Sequence, residues 1–230
     1  MAANSVLPPS VVNLTVHGVG KTVRALDVGE DHTWVDTAQL ELLLDAAVGR
    51  HDVRITFDDG NASDVEIALP RLVERGLRAE FFVLAGLLGM PGRLDHDGVR
   101  ELLAAGMSVG SHGWAHRDWR RIDNAQAEQE LGDAHRVLSE LTGHEISRVA
   151  IPYGSYDRHV LRRLRAAKVT CAYTSDGGRA RSDAWLQART SLRHDLDAQW
   201  VAKVLDGAST PVVLARRTAA RTIKRLRGSV

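Results

Sequence analysis

The sequence predicts an α/β fold, a barrel of mainly parallel strands forming a single domain. Three observations lead there. Short apolar runs alternate with longer helical patterns along the chain, which implies parallel strands joined by right-handed crossovers. Six or more such units occur without a glycine-rich dinucleotide turn, which favours a barrel over an open doubly wound sheet. Polar groups able to do chemistry recur directly after strands, where parallel barrels collect their sites.

The elements follow in order. "VVNLTV" (11–16) reads as a strand and "TAQLELLLDAAVG" (37–49) as an amphipathic helix. "VRITF" (53–57) is a strand, and a helix through 65–76 is started or kinked by Pro70. "AEFFVLAG" (79–86) is a buried strand, and "HDGVRELLAAG" (96–106) a helix closed by glycine. "MSVGS" (107–111) is strand-like, and a long helix follows over 125–143 with Leu131, His135, Leu138 and Leu141 at helical spacing. Strand "RVAI" (148–151), helix 158–167, strand 169–175, strand "WLQARTSL" (185–192) and helix 197–207 complete the pattern. Residues 1–10 are assigned to an N-terminal tail, 11–207 to the barrel and 208–230 to a basic C-terminal helix or tail.

Composition excludes several classes. The chain has 230 residues, 44% hydrophobic and 26% charged, with formal net charge +1, so no overall field recruits nucleic acid. The single Cys171 excludes an internal disulfide and a cysteine-built zinc ribbon. The first residues lack the pattern of a signal peptide, and no apolar run reaches the length of a membrane span. These features predict a soluble, cytoplasmic protein.

The candidate site begins at "RITFDDG", where Asp58 and Asp59 end a strand side by side. Adjacent carboxylates repel, and neither is easily buried without a partner, so a cation there is one explanation and an acidic turn the other. "SHGWAHRDW" places His112 and His116 four residues apart after the next-but-one strand. On a helical turn both imidazoles would face one ion. Two His and one carboxylate leave open positions for water, a set that suits zinc, cobalt, nickel or iron. Pro152, Tyr153 and Gly154 follow "RVAI", and His17 follows the first strand.

"TFDDG", "SHGWAHRDW" and "AIPYGSYD", in this order and spacing, resemble the polysaccharide deacetylases, the NodB-homology group or carbohydrate esterase family 4, over roughly residues 11–195. The resemblance implies a distorted (β/α) barrel of about seven strands and metal-dependent removal of acetyl groups from glycans. It also implies residue roles. Asp58 would be the general base, Asp59, His112 and His116 the metal ligands, and the backbone N–H of Tyr153 an oxyanion donor. The substrate expected is an N-acetylated sugar in a polysaccharide, oligosaccharide or lipid-linked precursor. A non-sugar amide, or an inactive glycan-binding role, are the alternatives; retention of both acids speaks against the last.

The chain departs from the family pattern in places. Gly113 stands where many relatives have Ser or Thr after the first ligand His, so that contact is absent or replaced. Ala150 stands where an Arg often pairs with the base, and Arg189 on the last strand is the candidate replacement. The acid that protonates the departing amine is His17 or His194. His17 would serve if the acid-bearing strand has moved to the N-terminus, as in circularly permuted relatives. Trp114 and Trp119 could stack on sugar or pack in the core, and Trp114, Pro152, Tyr153 and Asp176 are candidate substrate contacts. Asp176 could instead close an Asx turn.

The C-terminal segment carries Arg216, Arg217, Arg221, Lys224, Arg225 and Arg227 with no acid. A basic amphipathic helix there would lie on an anionic membrane, placing the protein peripherally at the inner face of the membrane. A solvated terminal helix is the alternative.

Overall fold

A computed structural model describes residues 9–26, 29–207 and 211–227. Its strands are β1 (Ser10–Val16), β2 (Gly18–Val19), β3 (Trp34–Val35), β4 (Val53–Asp58), β5 (Ala79–Val83), β6 (Ser108–Ser111), β7 (Arg148–Ala150), β8 (Cys171–Thr174), β9 (Arg179–Arg181), β10 (Leu186–Ala188) and β11 (Thr190–Ser191). Its α-helices are α1 (Thr37–Ala47), α2 (Leu69–Glu74), α3 (His96–Ala104), α4 (Asn124–Ala127), α5 (Ala134–Thr142), α6 (Arg158–Ala166), α7 (Ala198–Leu205) and α8 (Pro211–Leu226).

The main sheet runs β10-β8-β7-β6-β5-β4-β1-β11, all neighbours parallel, with β9 antiparallel to β1. β10 and β11 are one stretch of chain interrupted at Arg189. β10 pairs with β8 on one side, and β11 pairs with β1 on the other. That single stretch therefore brings the two ends of the sheet together, giving a nearly closed barrel of seven staves in one domain. β1 is buried from Val11 onward, and Phe57 of β4 stacks on Phe81 of β5 with ring centroids 4.7 Å apart.

Helices begin where the chain supplies caps. Asp36, Asp95, Asp123, Asp157 and Asp197 each accept a backbone N–H at the start of α1, α3, α4, α6 and α7. Pro70 sits at the start of α2, directly after a π-helical turn, where it cannot donate to the helical ladder. Two helices differ from expectation. The segment before α2 is a π-helical turn, Asp64–Ala68, and the long helix over 125–143 is interrupted by another, Glu128–Asp133. Such turns widen the helix locally and redirect side chains; here they carry the buried carboxyls of Asp64 and Glu130.

The basic C-terminal segment forms a helix, α8, part of which docks on the barrel. Its basic face is not turned outward as a whole. Lys224 bonds Asp176 at 2.6 Å and the Gly154 carbonyl at 3.3 Å, and Arg221 donates to the Gly177 carbonyl. Val212, Ile223 and Leu226 are left exposed. No helix among the described residues is long and apolar enough to cross a membrane.

Candidate metal and catalytic site

Asp58 ends β4, and Asp59 follows it with φ 74°, a left-handed conformation that is costly for a residue with a side chain. Arg93 Nη1 holds the Asp59 carbonyl at 3.0 Å, and Asn61, in the same turn, donates to the His17 carbonyl at 2.7 Å. The turn thus ties the end of β4 to the end of β1.

The two histidines come together differently from expectation. Residues 112–119 do not form a helical turn. Gly113 has φ 91° and His116 φ 56°, and this looped path brings the imidazole centroids to 4.9 Å. Glu130 fastens the loop from below: its carboxylate accepts from the N–H groups of Trp114 (2.9 Å) and Ala115 (3.1 Å), Trp119 Nε1 (3.2 Å) and Arg117 Nη1 (3.1 Å). A Cβ on Gly113 would lie 2.3 Å from Glu130 Oε2. Glu130 fills the space that a Ser or Thr at 113 would need.

Three donor atoms converge. Asp59 Oδ1 lies 3.5 Å from His112 Nε2 and 3.7 Å from His116 Nε2, and one ligand atom from each residue falls within 4.8 Å of the others. His112 Nδ1 contacts the Ala150 carbonyl at 2.8 Å. A carbonyl only accepts, so Nδ1 carries the proton and Nε2 presents its lone pair to the cluster. Burial, then neighbouring His112, lowers the His116 pKa to about 4, so its ring is neutral at pH 7. Asp59 Oδ1 is buried with no hydrogen-bond partner. A buried, unbonded carboxylate oxygen facing two imidazole lone pairs fits a divalent cation.

Asp58 is gripped by Arg189, whose Nη1 and Nη2 reach its two oxygens at 2.7 and 2.6 Å. Burial raises the Asp58 pKa, but Arg189 and then His112 outweigh it and bring it to about 2. Asp59 is likewise held below the usual carboxylate range, because His116 and His112 overcome the effect of burial. Asp64, buried and next in line, goes the other way. Burial and the charge of Asp59 raise its pKa well above the usual carboxylate range.

A cavity of about 280 Å³ holds these groups, lined by Asp58, Asp59, His112, His116, His17 and Arg189 together with Tyr153 and Gly154. His17 Nδ1 is buried there without a partner. Tyr153, at φ 58°, sets its ring 4.3 Å from that of His116. Several other candidates lie elsewhere. His194 is outside the cavity, 5.4 Å from the ring of His32, because the chain after β11 turns away toward α7. Trp114 packs against Gly86, and Trp119 is buried with its indole on Glu130, so neither ring faces the cavity. Pro152 is buried beneath the turn that presents Tyr153. Asp176 is engaged by Tyr156 (2.9 Å), Thr174 (3.0 Å) and Lys224 in a separate groove. Arg93, Asn61 and Glu130 were not foreseen. A Glu some 15 residues beyond a ligand loop carries no sequence signal until the fold brings it back.

The fold and this constellation point to the class of the polysaccharide deacetylases. The polysaccharide deacetylase family model matches residues 45–172, more than half the chain, and the protein belongs to that family. It is 24% identical to YxkH of Bacillus subtilis (strain 168) over 156 residues, 68% of this chain and 56% of that one. It is 27% identical to the peptidoglycan-N-acetylglucosamine deacetylase PgdA of Listeria monocytogenes serotype 1/2a (strain 10403S) over 114 residues, 49% of this chain and 23% of that one. The chain thus spans only part of the length of either relative. Its fold matches the Streptococcus pyogenes deacetylase PplD, solved in complex with acetate, with TM-score 0.73 and 18% identity over 86% of this chain and 99% of that one.

Proposed function

We propose that the protein is a metal-dependent hydrolase that removes the acetyl group from an N-acetylated sugar within a glycan, an oligosaccharide or a lipid-linked precursor. The observation that carries this reading is the buried, unbonded Asp59 Oδ1 facing the Nε2 atoms of His112 and His116, with Asp58 alongside. Asp59, His112 and His116 would hold a divalent cation, zinc first and cobalt, nickel or iron as alternatives. Such an ion supplies Lewis acidity toward an acetyl carbonyl and raises the acidity of water.

The chain's own groups do the rest. Asp58 is ionised throughout the working pH range and accepts the proton of the attacking water, with Arg189 holding its carboxylate in one orientation. A base this weak suits a water already made acidic. The backbone N–H of Tyr153 donates to the oxyanion as the tetrahedral centre forms. His17 protonates the departing amine, since an unprotonated amide nitrogen leaves poorly. Contact of α8 with the inner face of a membrane, through the exposed Val212, Ile223 and Leu226, belongs to the same proposal.

The test measures metal content of the purified protein beside His112→Ala and His116→Ala, then acetate released from N-acetylglucosamine oligomers. About one divalent ion per chain, lost in both variants, with acetate released only by the loaded protein, supports the reading. No ion after reconstitution with zinc or cobalt would end it. Turnover confined to small acyl amides would move the substrate away from sugars.

A further inference from the structure

Next to the catalytic cavity lies an open groove of about 590 Å³, and the two share His116 and Tyr153 as a common wall. Its lining includes Arg117, Arg120 and Arg121 against one carboxylate, Asp118. The guanidinium groups differ in how far they are committed. Arg117 Nη1 is engaged by Gln129 (2.7 Å) and the buried Glu130 (3.1 Å). Arg120 clasps Asp118 through Nε (3.0 Å) and Nη2 (2.6 Å), leaving Nη1. Arg121 is 83% exposed, and its ion pair with Asp118 is long, 3.8 Å. Asp118 is therefore neutralised within the groove, and a cationic surface remains on the far side of the wall formed by His116 and Tyr153.

We propose that this groove is a substrate subsite for an anionic group, a carboxylate or a phosphate, on the glycan residue next to the one deacetylated. Arg121 is the principal contact and Arg120 the second. The planar guanidinium fork matches both oxyanions, and a wall shared with the cavity lets one chain occupy both. The proposal rests on the deacetylase reading for the reaction but on the groove's charge for the preference.

The test compares three N-acetylated oligosaccharides of equal length: one neutral, one with a carboxylate on the neighbouring sugar, one with a phosphate there. Binding by titration calorimetry and kcat/KM for acetate release are both measured. The acidic oligosaccharides are expected to bind about three- to tenfold more tightly than the neutral one at low salt, the preference fading as salt rises. Arg121→Glu should abolish or reverse the ratio, while Arg136→Glu, the same charge change on exposed α5, should not. Preference for the carboxylate over the phosphate, or the reverse, identifies the source of the charge. Equal binding of neutral and acidic chains, or a ratio unmoved by Arg121→Glu, overturns the proposal. A binding preference without acetate release would keep the groove and discard the reaction.

Discussion

Arg189 and Asp58 form a fork-to-fork pair, 2.7 and 2.6 Å across, at the point where the last strand breaks and the barrel closes. The guanidinium also lies over the rings of Phe82 and Tyr173, 5.3 and 5.5 Å from their centroids. One residue thus sits at the seam and orients the carboxylate proposed as base. Arg189→Met would strand a buried carboxylate, and a loss of about 3–5 kcal/mol is expected in urea unfolding. Adding Asp58→Asn should recover part of it; no recovery would show that Arg189 acts mainly through packing.

The same pair sets an acid limit to stability. Asp58 falls from 3.8 to about 2 in the folded protein, so its contribution is fully present above pH 4 and is lost as pH falls through 2. The shift corresponds to about 2 kcal/mol. Unfolding free energy measured from pH 5 to pH 2 should show this slope in the wild type, with the Asp58→Asn slope shallower by that amount.

Cation uptake should have its own pH dependence. With His116 lowered to about 4 by burial and His112, protons compete for its ring only in the acid range, and binding should hold from neutrality to about pH 5 and then fail. A zinc titration series across pH 4–7 checks this. A midpoint near 6.5 would mean that the ring is more accessible to water than its buried position implies.

Glu130 should matter to the metal loop although it touches no ligand side chain. Glu130→Gln is expected to weaken cation affinity about 10–100-fold. Gly113→Ser should do at least as much harm, because its side chain would meet Glu130 Oε2. If Gly113→Ser combined with Glu130→Ala binds metal no better than Gly113→Ser alone, the steric account is wrong.

The two candidate acids separate cleanly. His17→Ala should lower kcat by about 10²–10⁴. His194→Ala, outside the cavity, should stay within a few-fold of wild type. The opposite ranking would return the role to the last strand.

Membrane contact is open to a flotation assay with vesicles of neutral and of anionic lipid. Binding to the anionic vesicles is expected, reduced by Ile223→Asp with Leu226→Asp, which alter exposed positions of α8. Equal recovery with and without vesicles would refute it.

Much of this was legible in the chain itself. Alternating strand and helix periodicity specifies a parallel barrel, because each pattern buries its apolar residues in only one geometry. "TFDDG" and the paired histidines mark the cluster, since adjacent acids at a strand end need a cation or a hydrogen-bonded turn. Arg189 could be nominated, but only closure of the sheet brings it, 131 residues away, onto Asp58. The path from His112 to His116 escaped the helical expectation because left-handed backbone at Gly113 and His116 is sustained by long-range contacts, above all with Glu130. His17 and His194 both follow strands, and local sequence cannot tell which end of the closing seam faces the cavity. Short-range steric preference determined the elements; the choice among chemically equivalent residues fell to the tertiary structure, because burial and charge pairing depend on which distant strands meet.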